Sequence, residues 1–171
     1  MGKIIAVLGI GPSLSLYKNE YDLSIGVNDI WRFHKTDVVV CLNKRTAFND
    51  DRFRIINECT PGAFYSQIVN WDFKEGFVKI NFLPHYPNAE INLDIPEFYK
   101  SFCSPFVACQ IAFRHYDATE IHLFGCDMVN HPHLKTDLCD KIKIHFMNLK
   151  DALEKKGCKL IIYGEGILKD I

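Results

Sequence analysis

The chain has 171 residues, 48% of them hydrophobic and 24% charged, which suits one domain with a buried core and leaves little length for a second. Its 20 basic and 21 acidic side chains give a formal net charge of -1, so there is no basic excess to hold a polyanion by counterion release, and nucleic acid is not an expected partner. Seven cysteines, an odd number with no CxxC pair, read as reduced thiols of a cytoplasmic protein.

The first apolar run, Ile4 to Leu8, is short, follows a lysine and passes directly into a Gly-Pro turn, so it reads as a strand and not as a leader peptide. No stretch has the length of a membrane span. Leu23 to Val27 and Asp37 to Leu42 are continuous apolar runs of the kind buried on both faces of a parallel sheet, and each ends on an asparagine, Asn28 and Asn43. Between residues 50 and 100 the pattern weakens. "RFRIINE" reads as a helix with Asp50 and Asp51 stabilising its start, "GAFYSQIV" and "FVKINFL" read as strands, and Pro84, Pro87 and Pro96 punctuate an unassigned loop. Ser104-Pro105 reads as a serine cap followed by proline at the first helical position, opening a helix to Tyr116 that is apolar nearly all round. A strand from Glu120 ("EIHLFG") follows. Leu138, Ile142, His145, Phe146, Leu149 and Leu153 then recur at helical spacing up to Gly157, and "CKLIIYG" closes the sheet. Alternating strands and helices predict a single α/β Rossmann-like domain over residues 1–171, with a mostly parallel sheet and helices on both faces.

"GIGPSLS" after the first strand is placed like a phosphate loop. Gly9, Ile10 and Gly11 would leave backbone N–H groups free to converge, and a helix starting at Pro12 or Ser13 would add its positive end. There is no Gly-Lys-Ser/Thr, and Leu14 stands where the dinucleotide fingerprint has its third glycine. Asp29, twenty residues beyond Gly9, and Asn28 stand where doubly wound folds place a ribose contact, so a dehydrogenase is an alternative, though the least favoured enzyme. In the loop "NHPHLK", His131 and His133 are imidazoles able to take a proton near neutrality, with His133 slightly preferred. Lys135 and, at the end of the third strand, Lys44 and Arg45 could meet a phosphate or an acidic sugar. His145 lies on the apolar helix stripe and reads as a core histidine, while His34, His85, His115 and His122 carry no pattern. Cys126, His131, His133 and Cys139 fit no common zinc module, so no metal site is expected.

The order of these motifs, G-x-G-P-S-L, two asparagine-ended strands, a serine-opened helix and "EIHLFGCD", resembles the bacterial CMP-sialic-acid-dependent lipooligosaccharide sialyltransferases and the wider sialyltransferase-like group. The pterin diphosphokinases of archaeal type are more distantly similar. The resemblance covers roughly residues 3 to 45 and 101 to 163. It implies a phosphate-side loop at Gly9, Gly11, Pro12 and Ser13, nucleotide or sugar contacts at Asn28 and Asn43, a cytidine-side contact at Ser104, and a "GxD" at Gly125 and Asp127. The family spells the loop with asparagine where Ile10 stands, and its lid carries tyrosines that the stretch Met128 to Asp137 lacks. The function so implied is glycosyl transfer from a nucleotide-activated, most simply CMP-linked, sugar donor to a glycan or small-molecule acceptor, with no cofactor required. The alternatives are Mg²⁺-dependent diphosphate or phosphoryl transfer, with Asp29 and Asp127 as ligands, and a non-catalytic nucleotide-binding module. The pattern also leaves room for a homo-oligomer.

Overall fold

The computed structural model describes residues 2–129 and 135–171, so His131 and His133 lie outside the described residues. All seven strands join one parallel sheet in the order β5-β4-β3-β2-β1-β6-β7. They are β1 (Lys3–Leu8), β2 (Leu23–Val27), β3 (Val38–Val40), β4 (Ala63–Ser66), β5 (Phe77–Lys79), β6 (Ala118–Phe124) and β7 (Lys159–Ile162). The helices are α1 (Asp50–Glu58), α2 (Ser104–Tyr116) and α3 (Thr136–Lys155). This is the α/β, Rossmann-like architecture that the alternating pattern predicts. Among the described residues no helix is long and apolar enough to cross a membrane.

The strands are buried on both faces because two cores flank them. Ile5, Val7, Ile25 and Val27 pack under α2 and α3, while Ala6, Leu8, Val39 and Phe64 pack with Ile56 of α1 and Trp71 on the opposite face. From Pro105 to Ala112 every residue of α2 is buried, as its all-round apolarity requires. Gln110 is the polar exception, and its amide accepts from Tyr99 N–H (3.0 Å) and donates to Tyr99 C=O (2.8 Å). It thereby ties the irregular segment before α2 to the core.

Two local expectations are corrected. The turn after β1 is a 3₁₀ helix of five residues, Pro12–Leu16, too short to supply the positive end of an α-helix. In its place the sheet face is covered by rings: Tyr17 stacks on Tyr21 and Tyr163 on Phe124, with centroids 5.8 and 4.3 Å apart. Ser104 is the first residue of α2 and not its cap; the cap position is Cys103, and no side chain caps the helix. Helix α1 begins at Asp50 and Asp51, the first-turn acids expected there, after Asn49 as its cap, which accepts from Arg52 N–H at 2.9 Å.

Candidate functional site

Strand order reverses beside β1: β2 to β5 extend from one of its edges and β6 and β7 from the other. At that point loops leave the carboxyl ends of neighbouring strands in different directions, and ligands of open α/β sheets bind there. The two loops are in close contact at the base. A Cβ on Gly9 would lie 2.3 Å from the Gly125 carbonyl oxygen, and Gly125 itself has φ +67°. Glycine at both positions therefore sets the floor of a cleft of about 810 Å³.

The loop after β1 is held shut by hydrogen bonds. Gly9 N–H donates to Phe124 C=O and Gly11 N–H to Gly125 C=O, each at 2.8 Å. Asp127 accepts from Ser13 N–H (2.9 Å) and Ser13 Oγ–H (2.7 Å), and Gly125 N–H donates to the same hydroxyl (2.8 Å). Pro12 has no N–H. The expectation of several free amides converging on a phosphate is thus corrected for Gly9 and Gly11, whose N–H groups tie the β1 and β6 loops together, while Ile10, 41% exposed, lines the cleft. Ser13 and Asp127 are buried and position the loop, so the Asp127 carboxylate is committed to protein donors.

Asp29 is likewise buried and does not line the cleft. Its Oδ1 accepts from Arg52 Nε–H (2.9 Å) and Nη2–H (2.7 Å), and Arg32 Nε lies 3.6 Å from Oδ2. Arg45 does not line the cleft, because its guanidinium lies over the rings of Phe53 and Phe73. Lys44 is exposed outside the cleft lining, and Lys135 is exposed at the start of α3.

Gly9, Ile10, Gly11, Pro12, Asn28, Asn43, Ser104 and Gly125 do line one cleft, so strand ends far apart in sequence meet there. Asn28 is the most informative of them. Its φ is +52°, a left-handed conformation that asparagine tolerates better than most residues, and its N–H donates to Val40 C=O at 3.0 Å. Its side-chain Oδ1 is buried and has no hydrogen-bond partner among the described residues. A buried acceptor without a donor costs on the order of 1–3 kcal/mol, and a bound ligand that donates to it removes that cost. The start of α2 also lines the cleft, and the Ser104 N–H there has no intrahelical acceptor and no side-chain cap. This uncapped helix end is an anion-favouring feature of this wall.

Residues with no sequence signal complete the walls: Arg52 from α1, Gln67 after β4, and Tyr86 with Lys100 to Cys103 from the irregular segment. Tyr86 and Phe102 stack with centroids 4.6 Å apart, and Lys100 Nζ lies 4.9 Å from the Tyr86 centroid. His145, fully buried as its place on the apolar stripe predicts, lies parallel to Tyr86 and has Ser101 Oγ 2.8 Å from Nδ1 and Asn88 Oδ1 3.1 Å from Nε2. Burial, with Lys141 nearby, holds its pKa below the usual histidine value, so the imidazole stays neutral and fastens the aromatic lip. Without a carboxylate to stabilise an imidazolium, this histidine is a poor proton acceptor. The Cys126 thiol at the cleft floor is pushed well up by a hydrogen bond with Cys103 and by burial, so it is no thiolate nucleophile at neutral pH. All seven cysteines are free. No group of three metal-ligating side chains occurs among the described residues.

Comparison with family models, curated proteins and solved structures returned no match for this chain.

Proposed function

We propose that the chain binds a nucleotide-activated sugar, most simply a CMP-linked one, at the carboxyl end of its sheet and transfers the glycosyl group to a hydroxyl acceptor. The observation that carries the ligand site is the cleft-lining Asn28, whose buried Oδ1 has no partner among the described residues and calls for a donor such as a ribose hydroxyl or a base amino group. The class of ligand rests on the order of motifs, G-I-G-P-S-L, Asn28, Asn43 and Ser104, of which Gly9 to Pro12 and the three single residues line the same cleft. Its volume suits a ligand of nucleotide-sugar size.

Transfer forms a bond from the acceptor oxygen to the anomeric carbon, breaks the bond from that carbon to the donor phosphate oxygen, and leaves the electron pair on the phosphate. The uncapped start of α2 at Ser104 would take up that negative charge. His131 or His133, which follow the cleft-lining Met128 and Val129 in sequence, would take the acceptor proton. No step calls for a cofactor.

Ile10 in place of a polar loop residue favours a second reading, a module that binds the nucleotide without turnover. An assay of CMP-sugar consumption without added metal, on the chain and on a His131→Ala, His133→Ala double variant, separates the two. Catalysis predicts turnover that falls by about two orders of magnitude or more in the variant with CMP affinity unchanged. CMP binding without turnover in either protein would establish the module, and no binding of any cytidine nucleotide would overturn both readings.

A further inference from the structure

We propose that Arg52 is the cleft's recognition residue for an anionic group, and that Asp29 is the positioning residue that aims it; this rests on the cleft being the ligand site of the proposed function. Sequence spacing points to Asp29 as a direct ribose contact and to Lys44 or Arg45 as the cations, and the structure assigns different work to each. Asp29 is 3% exposed and touches the guanidinium of Arg52, whereas Arg45 packs on aromatic rings outside the cleft.

The fork of Arg52 is fixed from several sides. Its Nε–H and Nη2–H both donate to one carboxylate oxygen of Asp29, its guanidinium carbon lies 5.0 Å from the centre of the Phe48 ring, and its backbone N–H is held by Asn49 at the start of α1. Its Nη1 has no partner among the described residues, and both Arg52 and Phe48 line the cleft beside Asn28 and Asn43. A guanidinium whose orientation is set in advance loses little freedom on accepting a ligand, and its planar donors match the oxygens of a phosphate or a carboxylate. The α2 amide end and Arg52 come from elements packed on opposite faces of the sheet. A ligand spanning the cleft thus meets two anion-favouring points, with Asn28, whose oxygen has no partner among the described residues, lining the same cavity. The ligand class is a nucleotide carrying a second anionic group, either a further phosphate or the carboxylate of an acidic sugar.

The test is ¹⁵N–¹H NMR of arginine side chains in the full chain, with the Arg52 Nε–H signal assigned by its loss in Arg52→Lys. Titration uses inorganic pyrophosphate and N-acetylneuraminate in separate arms, with CMP and uncharged cytidine binding measured in parallel. A saturable shift of the Arg52 signal is expected with at least one anion, and the arm that saturates at lower concentration identifies the source. Arg52→Gln should weaken that anion at least about tenfold and cytidine less than about twofold. Arg52→Lys keeps a cation for Asp29, so it retains the fold while still losing anion affinity. Asp29→Asn should lower the ratio of anion to cytidine affinity, whereas a purely structural role would weaken both alike. An Arg52 signal that neither anion moves, or anion affinity unaltered in both Arg52 variants, overturns the proposal even if CMP binds. An anion response at Arg52 with no binding of CMP or cytidine leaves the proposal standing and removes the nucleotide reading alone.

Discussion

Lys74 shows how a single side chain can close a helix. Only 8% exposed, it sends Nζ to the carbonyl oxygens of Ile56, Asn57 and Cys59 at 3.0, 2.8 and 2.5 Å, so one ammonium satisfies acceptors left unpaired at the end of α1. Lys74→Met keeps the aliphatic stem but removes all three donors, and should cost about 2–3 kcal/mol in a urea unfolding experiment. Asp127→Ala is expected to cost about 2 kcal/mol, because Ser13 N–H and Oγ lose their buried acceptor, and to weaken ligand binding by freeing the loop beside the cleft. The residue scale is also where sequence reading was least complete. Spacing locates Asp29 at a strand end but carries no information on which way its carboxylate turns. That is decided by Arg52, on a helix whose first turn faces it. Nor does the G-x-G spelling show whether its amides are free, since their acceptors, the carbonyls of Phe124 and Gly125, belong to a distant part of the chain.

At the scale of elements, strand and helix order follows from the apolar pattern because each buried strand must be hydrophobic on both faces and α2 must be apolar all round. The exception is the segment from residue 80 to 103, which supplies Tyr86, Lys100, Ser101 and Phe102 to the cleft. It has no period to read, because its backbone forms only an isolated bridge, between Phe82 and Phe98, and side chains of other elements hold the rest. Gln110 pairs with both backbone groups of Tyr99, and Arg114 donates to the carbonyls of Ile95, Pro96 and Glu97. Gln110→Leu fills the same space without serving Tyr99, so it is expected to destabilise the protein by about 2 kcal/mol. Hydrogen exchange should then quicken in residues 80 to 103 before it does in β1 or β6. Equal acceleration in all of these elements would show that the segment is not anchored chiefly by Gln110.

For the whole molecule, two histidines couple stability to pH. Burial lowers the pKa of His115, with Arg114 adding to the effect, and burial also lowers that of His145. Above the unfolded-state value of about 6.5 both states are neutral and the groups contribute no pH dependence. As pH falls below it the unfolded chain takes up protons that the folded chain refuses, so stability declines until the lower folded values are reached. The urea midpoint should therefore drop between about pH 7.5 and pH 5.5, and His115→Gln should remove part of that slope. A slope unchanged in the variant would assign the dependence to other groups.

The proposed function requires a nucleotide at the strand ends around Asn28. Calorimetric titration of CMP into the chain and into Asn28→Gly tests it directly, because glycine adopts φ +52° without strain and removes only the unpartnered amide. The account predicts binding to the chain without added metal and an affinity at least about tenfold weaker in Asn28→Gly, with folding intact. Equal CMP affinity in the two proteins, or no binding to either, would contradict it.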